Sequence, residues 1–67
     1  MSFARAYALD RQQAARRLYE TAAVYLNEAK LHPNPAHRAW WLAQAEFFQR
    51  QASQEAAIAR KWLERVQ

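Results

Sequence analysis

The sequence predicts an all-α fold, a two-helix antiparallel coiled hairpin. Three observations carry that expectation: a composition built from helix formers, a single pair of prolines at the midpoint, and alanine at every seventh position of both halves. Alanine supplies 16 and glutamine 7 of the 67 residues, glycine and cysteine are absent, and the β-branched residues are only Thr21, Val24, Ile58 and Val66. Alanine, leucine, glutamine, arginine and glutamate lead the helix scale, whereas strands favour the residues that are scarce here. A chain this short forms one structural unit, and without cysteine it has no disulfide to reinforce a small core. Self-association is the expected remedy.

Helix 1 is expected over about 3–31, with Ser2 as its N-cap, because serine oxygen accepts from the free N–H groups of a first turn. Pro33 and Pro35 end it, since proline forces the preceding residue out of helical geometry. The turn falls on 32–34, where Asn34 is the N-cap of helix 2 and Pro35 takes the first helical position, which lacks an N–H partner in any case. Helix 2 then runs over about 35–66. Helices of roughly 30 residues are about 45 Å long at 1.5 Å per residue, and so short a turn folds them back on each other.

The seam between them is read from the alanines. Helix 1 carries Ala8, Ala15, Ala22 and Ala29, and helix 2 carries Ala45, Ala52 and Ala59 followed by Val66. A second heptad stripe holds Ala4, Arg11, Leu18 and Tyr25 in helix 1 and Trp41, Phe48, Glu55 and Trp62 in helix 2. Small residues at each repeat allow close backbone approach, with larger neighbours closing over the side. One antiparallel offset pairs Ala22 with Ala45, Ala15 with Ala52 and Ala8 with Ala59. That offset brings Leu18 to Phe48, Tyr25 to Trp41 and Arg11 to Glu55. Arg11 and Glu55 are the only charges in their stripes, so they are expected to pair and to fix register rather than to add net stability.

Helix 2 has more apolar surface than a hairpin consumes. Trp40, Phe47 and Ile58, with Gln44, Gln51 and Trp62, extend the seam into a second face, while Tyr7, Ala14, Leu18 and Tyr25 do so on one flank of helix 1 and Tyr19 and Leu26 on the other. A homodimer that closes a four-helix bundle would cover it, with Tyr7, Leu18, Tyr25, Phe48, Ile58 and Trp62 as dimer or core face. Trp40, Trp41 and Trp62 read as partner anchors or as bundle core, with Trp41 favoured as core and Trp40, furthest off the seam, open to either role. Leu9, Val24 and Leu31, opposite the seam, read as scattered surface residues.

Catalysis lacks its materials: no cysteine nucleophile, no glycine for a phosphate loop, and only Ser2 and Ser53 as serines, one terminal and one expected on the outer face of helix 2. His32 and His37 flank the turn without a cysteine or a carboxylate expected nearby, which makes no metal-ligand set. No metal, cofactor or small-molecule ligand is expected. The apolar runs are too short to span a membrane and the N-terminus has no signal-peptide pattern, so a soluble, cytoplasmic protein is expected. The formal charge of +4 allows contact with nucleic acid or an acidic protein surface without choosing between them. The register gathers Arg5, Arg60, Lys61 and Arg65 at the open end and Arg16, Arg17 and Arg50 near the middle. Glu20, Glu28, Glu46 and Glu64 are interspersed, which fits a solvated face.

The plan resembles two groups. Length, hairpin form and heptad seam are similar to Rop-type plasmid RNA-binding bundles. His37-Arg38 preceding Trp41-Leu42-Ala43-Gln44-Ala45 resembles the aromatic-arginine pair and Trp-Leu-x-x-Ala segment of small phage-encoded host-modulating hairpins, the quorum-sensing anti-activators of LuxR-type regulators. Histidine replaces the aromatic, the spacing is shorter, and a Pro-Asn-Pro turn replaces a longer polar loop. This resemblance implies that Trp41 and Leu42 contact a partner. The sequence reading is therefore a non-enzymatic protein-binding regulator or inhibitor, docking helix 2 on a host protein through Arg38, Trp40, Trp41, Leu42 and Phe47. The alternatives are a Rop-like RNA- or DNA-binding bundle and a purely structural oligomerisation module.

Overall fold

A computed structural model describes residues 2–66 as two helices, α1 (Phe3–Leu31) and α2 (Pro35–Val66), packed along their lengths in a rod 50 × 14 × 12 Å. The caps are those the residue types provide. Ser2 Oγ accepts from Arg5 N at 3.2 Å, and Asn34 Oδ1 accepts from Ala36 N at 2.9 Å and His37 N at 3.3 Å. The first turn of each helix thereby has its orphan donors partly satisfied. At the other end of α1, His32 N donates to Ala29 O, and the chain leaves the helix in extended geometry before Pro33.

The core is the alanine seam. Ala8, Ala15, Ala22, Ala29, Ala45, Ala52 and Ala59 are the buried apolar residues, none more than 5% exposed, and no larger side chain among the described residues is fully buried. The side chain expected to continue the seam, Val66, lies outside those described. Residue spacing then fixes what flanks the seam. On an α-helix the third residue after an alanine points about 60° to one side of it, and the fourth about 40° to the other. The first flank carries Leu18, Tyr25, Phe48 and Trp62; the second carries Tyr19, Leu26, Ala56 and Leu63. Leu18, Tyr25, Phe48 and Trp62 half-cover the seam on the first side; on the second, Leu26, Ala56 and Leu63 are half-buried and Tyr19 is exposed. Arg38 falls where the alanine stripe of α2 would begin, at the turn, and its Nε donates to His32 O at 3.2 Å. It satisfies a carbonyl at the C-terminal end of α1.

Candidate functional site

The aromatic flank divides into two clusters. Near the turn, Tyr25 stacks on Phe48, with ring centroids 5.2 Å apart, and lies 5.3 Å from Trp41. His32 stacks over Trp41 at 5.4 Å. Trp40 and Phe47 meet Trp41 and Phe48 edge-on at 5.0 and 5.5 Å, yet they remain 54% and 49% exposed. These four residues of α2 form a ledge: Trp41 and Phe48 are half-buried in the hairpin and Trp40 and Phe47 project beyond it. At the open end, Tyr7 packs against Phe3 and Trp62, and the Arg65 guanidinium lies 4.8 Å from the Trp62 ring. Ile58 is half-buried on the same side of α2.

Arg11 and Glu55 separate the clusters. Arg11 Nη1 donates to Glu55 Oε2 at 3.0 Å, and Nη2 donates to Asp10 Oδ2 at 2.7 Å. The guanidinium also stands 5.6 Å from the Tyr7 ring, a cation–π distance. Its pKa is held above the ordinary value, chiefly by the Asp10 hydrogen bond; burial opposes this and the Glu55 charge reinforces it. The Nε is buried without a hydrogen-bond partner. A charge held this way, in the middle of an otherwise apolar flank, penalises any offset that separates Arg11 from Glu55.

The opposite flank has a different chemistry. Two shallow grooves run between the helices there, and each has a cation from both. Near the turn, Leu26, Ala29 and Leu42 form an apolar floor between Lys30 and Arg38. Toward the open end, Ala15, Tyr19, Ala56 and Leu63 form a second floor between Arg16 and Arg60. Between them Tyr19 Oη and Ser53 Oγ bridge the helices at 3.2 Å, so Ser53 is exposed but faces α1, rather than lying on the outer face expected from the sequence.

The residues predicted to bind a partner therefore do not form one surface. Trp40, Trp41 and Phe47 lie with the aromatic clusters, alongside the predicted dimer-face residues Tyr7, Tyr25, Phe48 and Trp62, whereas Leu42 and Arg38 line the groove on the other flank. Leu18, from the same dimer-face set, is half-buried on the aromatic flank. The sequence reading also missed a carboxylate beside the turn. Glu28 Oε2 is 3.4 Å from His32 Nε2, one helical turn away, and an i,i+4 spacing was the available signal. No candidate helix is long and apolar enough to cross a membrane among the described residues. No protein-family model, curated protein or solved structure matches this chain.

Proposed function

We propose that the chain is a non-enzymatic binding protein that pairs with a second copy through its aromatic flank and docks the other edge of helix 2 on a host protein. The observation that carries this reading is how little the hairpin buries. Surface scaling gives about 4,400 Å² for a compact monomer of this mass. The hairpin exposes 5141 Å². The excess, roughly 700 Å², is close to the ~800 Å² that one partner contributes to a standard interface. A core of alanines is a weak anchor for two long helices, because each alanine removes little apolar area from water. The Trp40, Trp41, Phe47 and Phe48 ledge supplies the large amphipathic contact area that such an interface uses.

In this reading two hairpins close a four-helix bundle, and the Arg38 and Leu42 edge of helix 2 is left to occlude a surface of a host protein, such as a transcriptional regulator. The phage-encoded hairpins that the sequence resembles bind a regulator of the LuxR type. Light scattering on the purified chain tests the first half: a dimer is expected at micromolar concentration, and Trp40→Ala/Phe47→Ala is expected to shift it toward monomer. Affinity capture from bacterial lysate tests the second, with a stoichiometric protein expected in the eluate. A monomeric wild-type chain that recovers RNA alone would defeat the reading.

A further inference from the structure

The net charge of the chain is unevenly placed. Four of the ten cations, Arg16, Lys30, Arg38 and Arg60, line the grooves, and among the described residues they, like every lysine and arginine except Arg11, form no ion pair. The carboxylates mostly lie elsewhere. Asp10 and Glu55 are neutralised at Arg11, Glu28 sits against His32, and Glu20 and Glu64 fall on outward positions. Glu46, on the rim of a separate depression beside Arg50, is the exception.

Each apolar floor has cations at its edge: Lys30 and Arg38 face each other by the turn, while Arg16 stands near the middle of the rod and Arg60 toward the open end. From Ala15 to Ala29 in helix 1 and from Leu42 to Ala56 in helix 2 the chain advances two heptads, so both floors lie on one side of the rod about 21 Å apart. Arg16 and Lys30 share that spacing, while Arg38 and Arg60 stand about 33 Å apart. A ligand that fills both grooves must be rod-shaped, apolar along its centre and negative along both edges. That describes an amphipathic helix with leucine-like residues on one stripe and carboxylates flanking it.

We infer that this flank is a docking site for an acidic amphipathic helix of the partner protein, seated between Lys30 and Arg38 at the turn and running past Arg16 to Arg60. The inference rests on the protein-binding reading and names the chemistry of the target segment. A nucleic-acid backbone would also meet the four cations, but it has nothing to place on floors built from Leu26, Ala29 and Leu42 or from Ala56 and Leu63. Desolvating those floors favours an apolar stripe, and the cations steer it and set its orientation.

The full chain is titrated into a fluorescein-labelled helical peptide of about six turns, carrying two leucine clusters about 21 Å apart and glutamates along both edges of the stripe. Controls are the same peptide with lysine for glutamate and a fluorescein-labelled 20-nucleotide single-stranded RNA. The acidic peptide is expected to bind, the lysine peptide is not, and Lys30→Glu/Arg60→Glu is expected to weaken binding at least tenfold with the helical circular dichroism signal retained. Arg38 is left intact in that variant because it also holds the His32 carbonyl. Equal binding of both peptides, indifference to the double variant, or no binding at millimolar peptide overturns the inference. RNA binding with the same sensitivity, in the absence of peptide binding, replaces the helix with a phosphate backbone and removes the protein-binding reading as well. The oligomeric state is measured on the same samples. Peptide binding by a monomeric wild type supports the groove while removing the self-pairing reading, and a dimer that leaves the peptide free overturns the groove alone.

Discussion

The two flanks of one alanine seam are built from the same heptads and end with opposite characters. Three residues after the seam position come Leu18, Tyr25, Trp41, Phe48 and Trp62; four residues after it come Tyr19, Leu26, Leu42, Ala56 and Leu63. In the first set Tyr25 packs on the Trp41 and Phe48 rings across the helices, and the second leaves open grooves edged by cations. The difference teaches how a chain this small divides its labour. Alanine brings the backbones together, one flank puts most of its bulk into holding them there, and the other flank is shallow because its residues are small or splayed.

The seam beneath both flanks is where the comparison breaks most completely. Ala15 and Ala52 are 5% and 0% exposed, so a leucine at either must push the helices apart and unstack the aromatic flank at once. Overpacking a filled core costs about 3 kcal/mol at its upper range, a large part of what so small a unit can muster. Ala15→Leu or Ala52→Leu is expected to abolish cooperative thermal melting by circular dichroism, or to yield a hairpin with a different register. A cooperative melt within a few degrees of wild type would show that the seam is looser than its burial implies.

Next in size is the open-end aromatic cluster. Trp62 contacts Phe3, Tyr7 and Arg65, and its removal withdraws the largest ring of that cluster. Because the indole is only half-buried, Trp62→Ala is expected to cost about 2 kcal/mol, below the range for a fully buried tryptophan. Leu63→Ala, the adjacent residue on the groove flank, is expected to cost clearly less. Chemical denaturation of the two variants side by side measures the asymmetry of the flanks directly, and equal losses would erase it.

The Arg11–Glu55 pair ranks third, and it separates specificity from stability. Glu55→Ala leaves Arg11 with Asp10 alone and a buried Nε that already lacks a partner. The melting temperature is expected to fall by less than half of the Trp62→Ala shift. Replacing both with leucine is expected to recover or exceed wild-type stability, since apolar pairs commonly match the ion pairs they replace, while relaxing the preference for one offset. A double-leucine variant less stable than Glu55→Ala would assign the pair a stabilising role instead.

Much of this architecture was legible because it depends on periodicity and on residue types with one local use. The alanine heptads marked the residues that are buried, Asn34-Pro35 marked the start of α2, and Arg11 and Glu55 met because both interrupted their stripes. The candidate site was less legible. Arg38, Trp40, Trp41, Leu42 and Phe47 are close in sequence, and proximity along the chain was read as one surface. Adjacent residues on a helix are 100° apart, so Trp41 and Leu42 belong to different flanks. Arg38 was also hard to read, because its partner is a backbone carbonyl across the turn, and no side-chain pattern records a carbonyl.

The smallest stability effect is expected on the groove flank, and it is the most informative about division of labour. Lys30 edges the Leu26 and Leu42 floor and forms no ion pair among the described residues, so reversing its charge should leave the fold nearly unchanged. Lys30→Glu is expected to shift folding stability by no more than about 0.5 kcal/mol, the usual range for a surface substitution away from the core. Lysine near a helix C-terminus favours the helix dipole, which sets the sign of the small loss, and added salt should reduce it. If the flanks divide holding from binding, a variant that folds normally loses acidic-helix binding, and Trp62→Ala does the reverse, binding in proportion to its folded fraction. Lys30→Glu melting far below wild type would place the cation in the hairpin's own stability and end the distinction between the two flanks.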